Sequence, residues 1–89
     1  MAVNDGYDYI LVADQNNHRI QAFSSKGQFM FTFGTRGTGD GQFKNPTGVA
    51  VHKTTGDIVI CDRLNNRVQI FDAEGKFLRK FGADGKLSL

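Results

Sequence analysis

The sequence predicts an all-β protein in which a four-stranded antiparallel unit occurs about twice. Three observations carry this. The chain repeats itself at a fixed period, each repeat holds four short apolar runs broken by turn residues, and no stretch shows helical periodicity. Sliding the 89 residues past themselves by 48 gives a gap-free match with 13 identities in 41 overlapping positions. Ile10, Asp14, Asn17, Arg19, Gln21 and Phe23 fall on Ile58, Asp62, Asn65, Arg67, Gln69 and Phe71. Gly27, Phe29, Phe33, Gly34 and Gly37 fall on Gly75, Phe77, Phe81, Gly82 and Gly85, and Ala2-Val3 on Ala50-Val51.

In the later repeat, Thr47–Val51 and Asp57–Cys61 read as the first two strands. Both are nearly continuous apolar runs, as expected of strands covered on both faces. Arg67–Phe71 alternates and is expected to be half-buried, whereas Phe77–Phe81 carries two adjacent charges suited to an outer edge in water. Asp72-Ala73-Glu74-Gly75 joins the last two strands, with Gly free to take the left-handed position of a bulged hairpin; Ser24-Ser25-Lys26-Gly27 does the same earlier. A four-stranded unit recurring at this period, inner strands more apolar than outer, describes a β-propeller blade. The segment 34–45 must carry the chain from an outer strand to the next inner one, roughly 14 Å across three strand spacings. Its four Gly residues permit the bends, Phe43 offers a hydrophobic peg, and Pro46 sits where an inner strand tolerates it. The expected division is a partial blade over 1–33 with its inner strand cut to Met1-Ala2-Val3, a linker over 34–45, a complete blade over 46–82, and the start of another linker over 83–89. On this reading the sequence is a piece of a larger ring.

Composition narrows the function classes. Hydrophobic residues make up 39% and charged residues 22%, which fits a folded domain and not a disordered tail. No apolar run approaches the roughly 20 residues of a membrane helix, and the N-terminus lacks the pattern of a signal peptide. Cys61 is the single cysteine, which excludes an intrachain disulfide and suits a reducing, cytoplasmic setting. A formal charge of +2 is too small to announce nucleic-acid binding by bulk electrostatics, although it permits a local basic patch.

The pattern Gly34-x-x-Gly37-x-Gly39-Asp40-Gly41-Gln42-Phe43-x-x-Pro46-x-Gly48-Val49-Ala50-Val51 resembles the linker and first strand of an NHL repeat. Asp62-x-x-Asn65-x-Arg67-Val68-Gln69-Ile70-Phe71, with its copy from Asp14 to Phe23, resembles that motif's second half. The likeness covers essentially the whole chain and is greatest to the C-terminal NHL propellers of tripartite-motif (TRIM) proteins. It implies a six-bladed ring that recognises RNA or protein clients. In the parent family this activity is linked to ubiquitin ligation or post-transcriptional regulation. Ligase chemistry would reside in a RING domain, which this sequence does not contain, so no enzymatic activity is expected of these residues.

Several residues invite a site. Asp14, Asn17 and Arg19, with their copies Asp62, Asn65 and Arg67, read as structural corners: Asp and Asn bond loop N–H groups while Arg pairs with Asp. Their presence in both repeats favours scaffold over catalysis. His18 and His52 do not align, so they cannot form the histidine cluster of zinc-dependent NHL-like lyases; no metal or cofactor is expected. The linker glycines mimic a phosphate loop, but no helix pattern follows them. Cys61 is expected to be a small buried hydrophobe, and Phe29, Phe31, Phe33, Phe77 and Phe81 to pack between blades.

The candidate binding set is Arg36 and Lys44 from the linker, Arg63 and Asn66 from the second-to-third-strand loop, and Gln15 and His18 from the equivalent earlier loop. Up-and-down geometry sends these loops to one face, where Arg suits phosphates and the amides suit base edges or peptide groups. Two alternatives stand beside RNA or protein recognition: blades that only complete a ring whose binding face lies elsewhere, and a piece of an NHL-like lyase. The chain alone is expected to self-associate or to require the remaining blades, because an open flank and the charge-free strand Phe29–Phe33 would be left uncovered.

Overall fold

A computed structural model describes residues 2–4 and 9–82; for 2–4 it gives strand pairing alone. The first unit comprises β1 (Ala2–Asn4), β2 (Tyr9–Asp14), β3 (Arg19–Ser24) and β4 (Phe29–Phe33), antiparallel in the order β1-β2-β3-β4. Two short linker strands follow, β5 (Thr35–Arg36) and β6 (Gln42–Phe43), paired in parallel. The second unit is β7 (Pro46–Val51), β8 (Ile58–Asp62), β9 (Arg67–Phe71) and β10 (Phe77–Phe81), again paired in sequence. These are two four-stranded propeller blades joined by a structured linker. The expectation of a further linker over 83–89 falls outside the described residues.

The repeat extends to the irregularities. Gly27 and Gly75 sit at φ 86° and 90°, closing hairpins by bonds from their N–H groups to Ser24 O and Asp72 O. The Ser24 hydroxyl accepts the N–H groups of Lys26 and Gln28, and the Asp72 carboxylate those of Glu74 and Lys76. In both blades the register then skips one residue of the outer strand, Met30 in β4 and Leu78 in β10, and both side chains are exposed.

The core lies between the blades. Tyr9, Leu11, Ile20 and Ala22 from the first meet Ile58, Ile60 and Phe71 from the second, with Phe43 of the linker among them. Phe43 is fully buried, its ring 6.5 Å from Phe33 of one blade and 5.6 Å from Phe71 of the other. It is the peg expected from the sequence. The chain reaches it through Gly34, at φ 100°, where a Cβ would overlap the Phe43 ring. At the opposite end of the seam, Tyr9 Oη donates to Ala73 O at 2.8 Å.

Four expectations change. β9 is buried along its whole length and not on one face, because its polar residues Arg67 and Gln69 face the linker instead of water. β7 leaves Thr47 and Ala50 exposed, and β8 alternates between buried and half-buried residues, so among the described residues neither strand is fully covered on both faces. Cys61 lies on the less covered face and is half-buried. Phe29 and Phe81 are exposed, since each ends an outermost strand away from the seam; Phe31, Phe33 and Phe77 pack against the core.

Phe43 joins both blades, so Phe43→Ala should lower stability by about 3–5 kcal/mol, the usual cost of deleting a buried aromatic. Urea unfolding checks this against Phe29→Ala, expected to change stability by no more than about 0.5 kcal/mol. Equal losses would contradict the assigned seam.

Candidate functional site

β2 ends at Asp14 and β8 at Asp62, and each is followed by one 3-10 turn, Gln15–Asn17 and Arg63–Asn65. His18 and Asn66 close these turns in the left-handed region, at φ 54° and 51°, each N–H returning to the first carbonyl of its turn. The turn brings Asp, Asn and Arg of one repeat together within five residues.

In the second blade this corner grips the linker. Asp62 is fully buried, and its Oδ2 accepts Arg67 Nε at 2.8 Å, Asn65 Nδ2 at 2.9 Å and Gln69 Nε2 at 3.3 Å. Its Oδ1 accepts the N–H of Lys44 at 2.8 Å. Arg67 then donates through Nη1 to Thr38 O and through Nη2 to Gly39 O and Gln42 O. Asn65 donates to Gly37 O, while Gln69 donates to Gln42 O and accepts the N–H of Gly41. Five bonds therefore run from these side chains to linker carbonyls. The Asp carboxylates accept the Asn side chain of their own loop but none of its backbone N–H groups, unlike the expectation from sequence; Asp62 instead takes the N–H of Lys44 and fixes the donors that hold the linker.

The first blade carries the same cluster facing solvent. Asp14 accepts Asn17 Nδ2, Arg19 Nε at 3.0 Å and Gln21 Nε2 at 3.0 Å. The Arg19 side chain is 41% exposed against 4% for Arg67. Among the described residues, no carbonyl accepts from its Nη atoms. Bonds from Asn17 and Arg19 hold the Asp14 carboxyl below its ordinary pKa.

The six candidate binding residues lie on these turns and on the linker. Arg36 in β5 pairs with Phe43, next to Lys44, whose carbonyl accepts the N–H of Leu64 beside Arg63. The linker and the Arg63–Asn66 turn thus form one surface, and His18 joins it by accepting the N–H of Asn45 at Nδ1. Arg36, Arg63, Asn66 and Gln15 are exposed, and Lys44 and His18 half-buried. Asp40 pairs with Lys80 at 2.6 Å, whereas Arg36, Lys44 and Arg63 form no ion pair among the described residues. His52 is distant from this face, accepting N–H groups of Thr54 and Thr55 in its own turn.

Gln69 and Gln42 were overlooked as functional parts of the corner. The signal for Gln69 is in the repeat: Gln21 and Gln69 are identical between repeats and stand two residues after the identical Arg19 and Arg67, on the same strand face. Among the described residues no group of three or more His, Cys, Asp or Glu could hold a metal ion.

A family model described as 6-bladed beta-propeller matches residues 2–84. Protein brain tumor of Drosophila melanogaster is 51% identical over 59 residues, covering 66% of this chain and 6% of that protein. The chain therefore spans a small part of that relative's length.

The two corners predict unequal mutational costs. Asp62→Ala strands the Arg67 guanidinium in the interior and should cost about 3–5 kcal/mol. Asp14→Ala should cost much less, because water solvates Arg19. The depressed pKa of Asp14 also sets a sign: its contribution is complete above the unfolded carboxylate value of about 3.9 and falls away as pH drops through the lower folded value. Denaturation midpoints of Asp14→Asn and the parent should therefore converge only below about pH 4; a gap confined to neutral pH and above would contradict the assignment.

Proposed function

Because the chain belongs to the six-bladed β-propeller family and its repeats are of the NHL type, we propose that it is a non-catalytic binding scaffold whose linker face takes RNA. The observation that carries this reading is the set Arg36, Lys44 and Arg63. These cations lie on adjoining backbone, and the acidic residue among them, Asp40, is paired to Lys80.

Arg can address phosphates bidentately, and three cations along one face offer a track for a backbone. Gln15 and Asn66 supply exposed amides at the turns, where they can bond base edges. His18 can offer only Nε2, because Nδ1 is bonded to Asn45. The rigid corner below keeps the linker in place, so the face is preorganised and binding need not order a loop. Cytoplasmic residence suits both an RNA ligand and a lone, half-buried cysteine. Any ligation or regulatory activity of a larger parent would belong to other segments.

RNA titrations of the chain at several salt concentrations test the reading. Reversing all three charges (Arg36→Glu, Lys44→Glu, Arg63→Glu) should weaken binding and flatten the log–log salt slope by about 2 for a single-stranded ligand. Binding that ignores salt, or an unchanged slope in the triple variant, would defeat the phosphate reading and leave these blades a structural role.

The same scaffold reading expects the 89-residue chain to self-associate, with three copies supplying six blades. Val12 and Phe23 on one flank and Val59 and Cys61 on the other are only half-buried, and β4 ends in exposed Phe29 and Met30. Sedimentation velocity should show species larger than one chain; a dispersed monomer at tens of micromolar would refute it.

A further inference from the structure

We infer that the outer edge of β4 is a docking site for an extended segment of another protein, one with an uncharged β-forming centre and acidic residues at both ends. This does not rest on the RNA reading, since an edge strand binds through main-chain groups and the linker face through charged side chains. Nor does it depend on how many blades the chain holds. Neighbouring blades stack on blade faces, and an outermost strand keeps its edge on the rim of the ring.

The strand order leaves backbone groups over at this edge. β4 is last in the order β1-β2-β3-β4, so among the described residues no strand pairs with its outer side. Ser24 of β3 donates its N–H to Gln28 O, on the β4 side. By the alternation of an antiparallel ladder, Ala22 and Ile20 also turn their backbone groups toward β4, and their partners Phe31 and Phe33 turn theirs inward. Thr32 stands between those partners and presents its N–H and C=O to the rim. Its hydroxyl is committed to Ile20 O at 2.9 Å, so the edge offers main-chain chemistry.

The two outer strands differ in how this edge is guarded. The 48-residue repeat sets Phe31 and Thr32 against Arg79 and Lys80. Charges on an edge strand oppose pairing with a further strand, and β10 carries two where β4 carries none. A bulge interrupts both strands at the same place, so it does not tell them apart. Phe29 and Met30, both exposed, add apolar surface at the start of β4.

Charge identifies the occupant. No Asp or Glu stands between Asp14 and Asp40, and the exposed Lys26 and Arg36 lie five residues on either side of Phe31. Asp14 is bound to Arg19 and Asp40 to Lys80, so neither neutralises these two cations. In the second blade the place of Lys26 is taken by Glu74. The β4 edge is therefore an uncharged strand between two cations, complementary to a strand that ends in acids. A second copy of β4 does not fit. Antiparallel pairing about Phe31 would set Lys26 opposite Arg36 at both ends, and like charges directly opposite are destabilising.

A fluorescein-labelled peptide, Glu-Asp-Thr-Val-Thr-Val-Thr-Asp-Glu, is titrated into the full chain with fluorescence anisotropy as readout. Saturable binding is expected. Two control peptides should bind about tenfold more weakly: one with Lys in place of all its acids, and one with Pro at two adjacent central positions, which removes a ladder donor in either register. Thr32→Pro deletes the outward N–H while sparing the ladder to β3, and should also weaken binding about tenfold. Lys26→Glu, at a side chain that forms no ion pair among the described residues, should weaken it about fivefold. Circular dichroism and urea unfolding of the variants come first. If Thr32→Pro departs from the parent there, Lys26→Glu and the two control peptides decide. Absence of saturation, equal binding of the acid-ended and Lys-ended peptides, or parent-like affinity in Lys26→Glu would overturn the inference. So would smaller assemblies of Thr32→Pro than of the parent without peptide, which would make a second copy the occupant of the edge.

Discussion

The structure depends on how the linker's backbone carbonyls are satisfied between blades. A chain crossing from the outer strand of one blade to the inner strand of the next leaves the sheet ladder for several residues. Its carbonyls cannot be buried without donors. Here the donors come from side chains: one guanidinium and two amides address the carbonyls of Gly37, Thr38, Gly39 and Gln42. A buried guanidinium in turn requires a negative partner with its remaining valences filled. Asp62 meets both needs, accepting three side-chain donors on one oxygen and the Lys44 N–H on the other. The Asp-Asn-Arg-Gln motif and the glycine-rich linker are two halves of one contact.

The fold was legible because the repeat makes each element appear twice. The strand positions, the bulged hairpins and the Phe43 peg follow from identities at a 48-residue offset and from turn chemistry. The burial of β9 was not legible. Arg67 and Gln69 alternate with apolar residues as solvent-facing positions do, and only a second segment lying over them turns that face into interior. Alternation reports polarity along a strand and is silent about what the polar face meets. The outer aromatics failed for the related reason that Phe29 and Phe33 are alike in pattern, yet only Phe33 reaches the seam. On the linker face, the proximity of Arg36, Lys44 and Arg63 followed from strand direction, but the pairing of Asp40 with Lys80 across 40 residues could not.

Comparing the two blades separates what residues are from what surrounds them. Asp14 and Asp62 stand in the same Asp-x-x-Asn-x-Arg-x-Gln pattern and bond the same three side chains of it. One corner is half open to water and the other is sealed, so an identical ion pair passes from the weak exposed regime to the buried one, where losing a partner is severe. A repeat protein can thus encode one motif and obtain several energetic roles from it, depending on the neighbour supplied.

The same arrangement leaves the side chains of the linker face uncommitted, which supports the recognition proposed for it. The groups that hold the linker lie beneath it and use its carbonyls, which leaves the side chains of Arg36, Lys44 and Arg63 outside the network that fixes their backbone. Lys44 shows the division within one residue: its N–H is bound to Asp62 and its carbonyl to Leu64, while its ammonium takes no part in the corner. Positions of this kind can change their side chains without disturbing the blade seam, provided the backbone bonds remain. A scaffold that secures its linkers by main-chain atoms therefore separates stability from specificity, and the separation is made by the carbonyl-binding corner and not by the loop residues themselves.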